Sequence, residues 1–195
     1  MRAIRPREVE VMLTAIDVLN HIKSTYPTFG VLQRQKLLYY SQAWALTWFG
    51  KPLFGDPVTA FEKGPVVEAA WRADKGSVGV VAPGERAALT HDERSIVGSV
   101  FAFYGRLSGA DLIVLTHSED PWIDSYENAS LFGRGRQEIT HVDMVRFYTA
   151  KVMRHEPTPA KPITSGEDRG AWDLRRELSV EVDRFATMLE ILADK

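Results

Sequence analysis

The side chains of this sequence that are best suited to chemistry lie in one short segment. His117, Glu119 and Asp120 stand close together, and imidazole and carboxylate groups at such spacing can share acid/base work or bind a metal ion. His91 and His141 join this cluster only if the fold brings distant segments together. A histidine at a predicted helix end more often caps that end or hydrogen-bonds within a packed turn. We therefore expect a structural role for the cluster and keep catalysis as the alternative.

Local signatures of cofactor-dependent or nucleophilic enzymes are missing from the sequence. Gly79 and Gly84 have the spacing of a phosphate-binding loop, but Glu85 and Arg86 stand where Lys and Ser/Thr are needed. The sequence contains no Gly-x-Ser-x-Gly elbow, no His-Glu-x-x-His pair and no cysteine. We therefore predict no cofactor, no metal site and no catalytic residues.

Two further pairs of charged residues have a simple and a functional interpretation. Glu62 and Glu68 could act as paired carboxylates only if a cleft fixed their separation, and solvated charges are the simpler interpretation. Arg134 and Arg136 flank a glycine in a predicted loop and could bind a phosphate or a carboxylate of a partner through bidentate contacts. We take this arginine pair as a candidate partner-binding site, with ordinary solvated arginines as the alternative.

Length and composition indicate one globular domain with an appendage. The chain has 195 residues, of which 45% are hydrophobic and 26% charged, as is typical of folded proteins. Its net charge of -2 argues against nucleic acid as a partner. The first residues do not resemble a signal peptide and no stretch is apolar enough to span a membrane. We therefore expect a cytoplasmic protein that does not bind a membrane.

Hydrophobic periodicity predicts a mainly α fold: a compact multi-helix domain with a short β element. Helices are predicted over 7–26 and 31–49, followed by a turn over 51–57 whose Leu53 and Phe54 tuck into the core. A strand fragment is predicted at 58–62, a short helix at 66–74 with Pro65 in its first turn, and a small strand at 78–81. The aromatic residues concentrated between 39 and 61 are expected to form the core, with a minority at its rim available to a partner.

Capping signals place the later helices. Thr90 with Glu93 forms a capping box, and Ser108 with Asp111 begins the next helix, which should stop near residue 118, before a proline. A glycine- and arginine-containing loop is predicted over 130–137, and Thr140 begins a further helix. The pattern predicts about six helices in the body.

The C-terminal part has a different composition. Residues 154–170 contain three prolines and two glycines and predict an extended linker. Beyond it, apolar residues recur every three or four positions and predict a tethered amphipathic helix; they are Leu174, Leu178, Val182, Phe185, Leu189 and Leu192. We thus divide the chain into a helical domain (1–153), a linker (154–170) and a C-terminal helix (171–195). The apolar stripe must be buried against its own body, a second copy or another protein.

Several motifs follow one another in an order that resembles a known family. They are QKLLYYSQAW at 35–44, KPLF at 51–54, AFEKGPVV at 60–67, LTH at 115–117 and PW at 121–122. In this order and spacing they resemble the Panacea antitoxin family, which includes SocA-like and GepA-like proteins, over residues 9–152. The stretch before Gly-Pro-Val reads Phe61-Glu62-Lys63, a modest departure from the family's pattern.

The resemblance implies a helical antitoxin of a bacterial or phage two-gene toxin–antitoxin system. Its members are paired with unrelated toxins, and most neutralise their toxin by direct binding. The cognate toxin, encoded by an adjacent gene, is thus the expected partner. The SocA-like branch also delivers its toxin to a protease, so a proteolytic adaptor remains an alternative function, and a protease and a second copy of the chain remain candidate partners.

The matched motif positions are equally compatible with fold determinants and with partner contacts, and the resemblance makes none of them catalytic. They are Lys36, Leu37, Tyr39, Gln42, Trp44, Pro52, Leu53, Phe54, Gly64, Pro65, Val66, Thr116, His117, Pro121 and Trp122. For partner binding the candidates are the arginine pair and the C-terminal stripe, in particular Leu178, Val182, Phe185 and Leu189. An enzyme using the His117, Glu119 and Asp120 cluster and a DNA-binding autorepressor are the rival classes, but the sequence offers no basic recognition helix for the latter.

Overall fold

The computed structural model describes residues 12–76, 88–131 and 137–165. Along the chain the elements are α1 (Ala15–Thr25), α2 (Gly30–Phe49), β1 (Thr59–Phe61), β2 (Gly64–Val66), α3 (Glu68–Asp74), α4 (His91–Tyr104), α5 (Gly109–His117), α6 (Asp120–Leu131) and α7 (His141–Met153). The two strands form an antiparallel hairpin. The predicted class, mainly helical with a short β element, is confirmed.

Helix α2 lies at the centre of the fold. It packs against α4, α5 and α7 and also contacts α1, α3 and β2. Its aromatic side chains form the core: Tyr40 stacks on Tyr104 with ring centroids 4.0 Å apart, and Trp44 packs against Tyr148 at 5.1 Å. As predicted, Leu53 and Phe54 from the following turn are buried in the same core.

Local capping explains where most helices begin. The predicted capping boxes at Thr90 and Ser108 are present, and Thr140 caps α7. Thr14 and Asp17 form a third capping box at the start of α1. The predicted start of the first helix at residue 7 is therefore wrong, because residues 12–14 are not helical, and the part before residue 12 lies outside the described residues.

The sequence pattern placed one proline wrongly and missed the helix that begins beside another. Pro65 belongs to β2, opposite Ala60, rather than to the first turn of a helix, and α3 begins only at residue 68. The predicted end of the next helix near residue 118 is confirmed, because α5 ends at His117 with Ser118 as its C-cap. Pro121 lies in the first turn of the following helix, α6, where a proline is well tolerated because its missing N–H would have no intrahelical acceptor. The helix α6 was missed, and the described residues contain seven helices rather than about six.

A buried carboxylate joins the first three helices. Asp74 at the end of α3 is fully shielded from solvent and binds Lys23 of α1 at 2.9 Å and Arg34 of α2 at 2.7 Å. Burial alone would raise the pKa of this carboxyl, but the hydrogen bonds and charges of Arg34 and Lys23 outweigh burial and hold the pKa below its ordinary value. Asp74 is therefore charged at neutral pH.

The first part of the predicted linker lies against the helical body. We call residues 156–165 the strap; it has no regular secondary structure. The Lys161 Nζ donates to the Trp48 carbonyl at 2.8 Å and lies 4.9 Å from the Phe49 ring, and the Ser99 hydroxyl donates to the Ala160 carbonyl. Because the last carbonyls of a helix have no intrahelical donor, Lys161 completes the C-terminal end of α2.

Several predicted elements cannot be compared with the structure. The strand at 78–81, residues 132–136 of the predicted loop, and the C-terminal helix at 171–195 lie outside the described residues. Among the residues that are described, no single helix is both long and apolar enough to cross a membrane.

We predict that Asp74→Asn lowers the free energy of unfolding by about 1–3 kcal/mol at pH 7, because Lys23 and Arg34 lose the charge that both bind. A carboxyl with a lowered folded pKa stabilises the fold above its unfolded pKa and loses this contribution as the pH falls through the folded value. The difference between wild type and variant, measured by urea denaturation, should therefore shrink below about pH 4. Asp124→Asn, at an exposed carboxylate 3.5 Å from Arg146, is the control and should change stability by less than about 0.5 kcal/mol.

Candidate functional site

The cluster that the sequence singled out is divided between different surroundings. Glu119 is buried, whereas Asp120 is exposed at the start of α6. The His117 ring stacks on Trp122, with centroids 3.8 Å apart and planes 12° from parallel. His91 is exposed, and the His141 ring contacts the Gln42 side chain, so neither histidine joins the cluster. Within the described ranges no group of three His, Cys, Asp or Glu side chains is arranged to hold a metal ion.

Glu119 is instead the acceptor of a buried polar network. One carboxylate oxygen accepts from the Tyr148 hydroxyl at 2.7 Å and from the Tyr40 hydroxyl at 3.1 Å, and the other accepts from Lys151 Nζ at 3.2 Å. The Tyr39 hydroxyl lies 3.2 Å from that of Tyr148. Burial raises the pKa of Glu119, and the hydrogen bonds from these donors offset burial only in part. The network joins α2, α7 and the turn before α6. Both oxygens of the Glu119 carboxylate already accept hydrogen bonds within it.

A second buried ionisable group lies below the β-hairpin. Lys36 has no exposed surface, and its Nζ donates to the Pro65 carbonyl at 2.8 Å. Burial lowers the pKa of this amine to about 7. The Thr116 hydroxyl, which donates to the carbonyls of the preceding turn of α5, lies against Gly64 on the same side of the hairpin as Lys36. Lys36 thus fixes the hairpin to α2 through its backbone.

Gly64 makes this close approach feasible. Its φ is +89°, and a Cβ there would lie 2.7 Å from Thr116 Oγ1 and 2.8 Å from Lys36 Cε. Both the backbone conformation and the lack of space therefore require glycine at this position. The glycine of the Gly-Pro-Val motif thus allows the hairpin to pack closely against α2 and α5.

Gln42 performs the same task for the turn after α2. Its carbonyl oxygen accepts from the backbone N–H groups of Leu53 and Phe54 at 2.8 and 3.2 Å, and its amide nitrogen donates to the Phe54 carbonyl at 3.0 Å. The same nitrogen lies 3.1 Å from His141 Nε2 at the start of α7. One buried side chain therefore fixes the KPLF turn and the first residue of α7.

Two further glutamines were not recognised from the sequence. The Gln33 amide donates to the carbonyls of Gly105 and Leu107, at 3.1 and 2.7 Å, and Gln35 accepts from the Val67 N–H at 3.0 Å. Gln35 and Gln42 are seven residues apart in the sequence, but only their burial shows that these side chains point into the protein. One signal in the sequence could have indicated this role: the few polar residues on a helix that is otherwise apolar must be buried with it, and buried polar groups need hydrogen-bond partners.

The hairpin is also held from α6. Trp122 Nε1 donates to the Phe61 carbonyl at 2.8 Å, and the Trp122 ring lies between those of His117 and Tyr126, the latter at 4.7 Å. Burial and the nearby charge of Lys36 lower the pKa of His117, against a hydrogen bond to the Glu62 backbone. His117 is therefore a mainly neutral ring within an aromatic stack at neutral pH.

The structure places the motif positions around α2 and its neighbouring loops. Most of them are buried; these are Lys36, Leu37, Tyr39, Gln42, Trp44, Leu53, Phe54, Gly64, Pro65, Val66, Thr116, Pro121 and Trp122, while Pro52 and His117 are half-buried. Glu62 is exposed and Glu68 pairs with Arg72 at 2.8 Å, as solvated charges do. The candidate partner-binding residues Arg134, Arg136, Leu178, Val182, Phe185 and Leu189 lie outside the described residues.

Part of the chain is similar to a known protein family. Residues 35–123 match the family model of the SocA-like antitoxin Panacea domain. This match, which covers a little less than half of the chain, confirms the resemblance inferred from the motifs. No curated protein and no solved structure matches the chain. Every motif position named above lies within the matched residues 35–123.

We predict that Gly64→Ala lowers the free energy of unfolding by about 2–4 kcal/mol, because the strained φ adds to the overlap with Thr116 and Lys36. Gly76→Ala is a matched control: its φ is +72°, but nothing lies within 4 Å of the added Cβ, so only the strain of about 1 kcal/mol remains. Urea denaturation measures both. Equal losses in the two variants would show that the contact below the hairpin is not tightly packed.

We predict that part of the stability of the fold depends on the protonation of Lys36. In the folded protein the amine is mostly neutral above pH 7, whereas in the unfolded chain it stays charged up to about its ordinary pKa of 10.5. Unfolding therefore takes up a proton between these values, and the free energy of unfolding should rise with pH, by up to about 1.4 kcal/mol per unit. Lys36→Met should lose this rise in urea titrations between pH 7 and 10, and Lys63→Met, at an exposed lysine, should retain it.

Proposed function

We propose that this protein is an antitoxin that neutralises a cognate protein toxin by binding it directly. The observation that carries the proposal is the Panacea domain at residues 35–123. We propose further that the toxin is encoded by an adjacent gene, in a bacterial or phage two-gene system, and that both proteins meet in the cytoplasm. Binding by surface contact requires no reacting group, which agrees with a site whose Lys36, Gln42 and Glu119 side chains bind other groups of the same protein.

The structure supports a binding role because the side chains of the Panacea motif positions are mostly buried and form contacts within the protein. Lys36 and Trp122 each donate to a backbone carbonyl of the β-hairpin, and Gln42 donates to a backbone carbonyl of the turn after α2. They therefore position exposed surface rather than provide it, and partner contacts must come from residues around them. Exposed apolar side chains are available for this, such as Phe29 with 78% and Val114 with 71% of its surface accessible.

The enzymatic alternative receives little support from the side-chain geometry. A general acid or base needs access to a substrate, but Glu119 is 2% exposed and accepts three hydrogen bonds from its own protein. The His117 ring is stacked on Trp122. A role of the cluster in stabilising the fold explains these contacts fully.

We propose that the C-terminal stripe and the arginine pair add specificity to the toxin contact. A helix with an apolar stripe is a common ligand for a groove in a partner, and Arg134 with Arg136 could bind carboxylates beside it. Docking of the stripe on a second copy of the chain is the competing arrangement. Toxin binding by variants of the stripe distinguishes these two arrangements.

The test is co-expression of the adjacent open reading frame with this protein, followed by co-purification. We expect that the neighbour alone arrests growth, that this protein restores growth, and that a stable complex of the two is recovered. Restored growth without a complex, with toxin levels that fall only in a strain containing the responsible protease, would establish the adaptor function instead. A toxin that this protein does not counteract would contradict an antitoxin role.

Substitutions in the C-terminal stripe sharpen the test. We predict that Leu178→Asp with Phe185→Asp weakens toxin binding at least about 30-fold, as loss of an interface hot spot does, without changing the melting temperature of the helical body. Arg176→Asp, on the opposite face of the predicted helix, is the control and should bind as wild type does. Calorimetric titration of the purified toxin measures all three proteins. Wild-type affinity of the double variant would remove the stripe from the interface.

A further inference from the structure

The end of α7 turns the strap back onto the helical body. The His155 N–H donates to the Val152 carbonyl at 3.0 Å. The Glu156 N–H donates to the Lys151 carbonyl at 3.2 Å, which completes the hydrogen-bond pattern of a Schellman turn. The left-handed position of such a turn is usually glycine, but here it is His155, with a φ of +55°. Because a side chain strains the backbone at this position, the turn needs support from the contacts that the strap makes.

The helical body binds the strap through main-chain groups at two points of α4. The Ser99 hydroxyl donates to the Ala160 carbonyl, and Asp92 Oδ1 accepts from the Ser165 N–H at 2.8 Å and from the Ser165 hydroxyl at 3.0 Å. Ser99 and Asp92 are seven positions apart and therefore lie on one face of α4, separated by about 10 Å. The two side chains thus bind backbone groups that almost any extended chain could offer.

Two side chains of the strap add selectivity to this contact. Pro159 is the buried residue among residues 156–165. The Lys161 Nζ donates to the Trp48 carbonyl at 2.8 Å and lies 4.9 Å from the Phe49 ring. A cation is favoured there because the carbonyl end of α2 is negative and the face of an aromatic ring attracts positive charge. The contact therefore selects a chain in which a lysine follows a proline by two positions.

We call the binding face the strap surface; it consists of Asp92 and Ser99 on α4 with Trp48 and Phe49 at the end of α2. The strap covers it without burying much apolar side chain, since Ile163 has 96% of its surface accessible. Its main advantage over a free segment is the tether to α7, which corresponds to an effective concentration in the millimolar range. A segment that makes the same contacts more tightly can therefore replace it.

We propose that the strap surface is a docking site for an extended segment of a partner protein in which a lysine follows a proline by two positions. The strap closes this site until such a segment displaces it. The proposal goes beyond the antitoxin assignment, because it concerns the chemistry of this surface and holds whichever protein the partner is.

A peptide with the sequence of residues 156–165, labelled with fluorescein, is the probe. It is titrated against the full-length protein and against a full-length double variant with Pro159→Ser and Lys161→Ser. The double variant weakens the tethered strap and leaves the strap surface unchanged. We expect it to bind the peptide at least about tenfold more tightly than the wild type does, because the competing segment has lost its proline and lysine contacts. Fluorescence anisotropy measures both affinities.

Further substitutions locate the bound peptide. Adding Ser99→Ala to the double variant should weaken peptide binding about two- to tenfold, because one hydrogen bond to the peptide backbone is lost. Ser24→Ala, at an exposed hydroxyl of α1 that donates to the His21 carbonyl, is the matched control and should leave the affinity unchanged. A peptide that carries Lys161→Glu should bind at least about fivefold more weakly.

Equal affinities of the wild type and the double variant would overturn the proposal, as would an affinity that responds neither to Ser99→Ala nor to Lys161→Glu in the peptide. The melting temperature of each variant shows whether the body is intact. If the double variant is unstable, Lys161→Ser alone, at an exposed side chain, replaces it and should bind the peptide about threefold more tightly than the wild type does. Wild-type dimers that form with rising protein concentration and that the peptide dissociates would also overturn the proposal and assign the surface to a second copy.

Discussion

The fold depends on the burial of polar side chains along one helix. Helix α2 is covered by α1, α4, α5 and α7, so its amide and amine groups cannot reach water. Gln33, Lys36 and Gln42 bind backbone groups of the segments that surround the helix: the loop after α4, the strand β2 and the turn after α2. A buried polar group without a partner costs about 1–3 kcal/mol, so each such bond specifies where one loop must lie. The helix thereby determines the positions of segments that have little regular structure of their own.

The Glu119 network is a second consequence of dense helix packing. Residues 117–120 span the junction between α5 and α6, and neighbouring residues at such a junction face different directions. Glu119 consequently points into the core towards Tyr40 and Tyr148, while His117 lies against Trp122. Proximity in sequence suggested a chemical centre, but the turn between the helices separates the groups. The carboxylate joins α2 to α7 instead.

Local signals in the sequence predicted much of the fold. The capping residues Thr90, Ser108 and Thr140 begin helices where expected, because hydroxyl caps act within one turn. The amphipathic and aromatic patterns placed α2 and the core. Pro65 was assigned to a helix, and α6, which has Pro121 in its first turn, was missed, since a proline fits a strand or the first turn of a helix and the choice depends on tertiary packing. The site was predicted only as a set of motif positions, because no local pattern shows which distant carbonyl a buried glutamine or lysine will bind.

The contacts of α2 also have a consequence for synthesis on the ribosome. Its closing partners are far along the chain: Gln42 meets His141 after 99 residues, and Tyr39 meets Tyr148 after 109. At a synthesis rate of about 5–20 residues per second, α2 is made roughly 5–20 s before α7 can cover it. During that interval Trp44 and its aromatic neighbours lack the surface that buries them in the finished protein. The nascent chain therefore remains exposed to aggregation and to proteases until α7 emerges and completes the cover of α2.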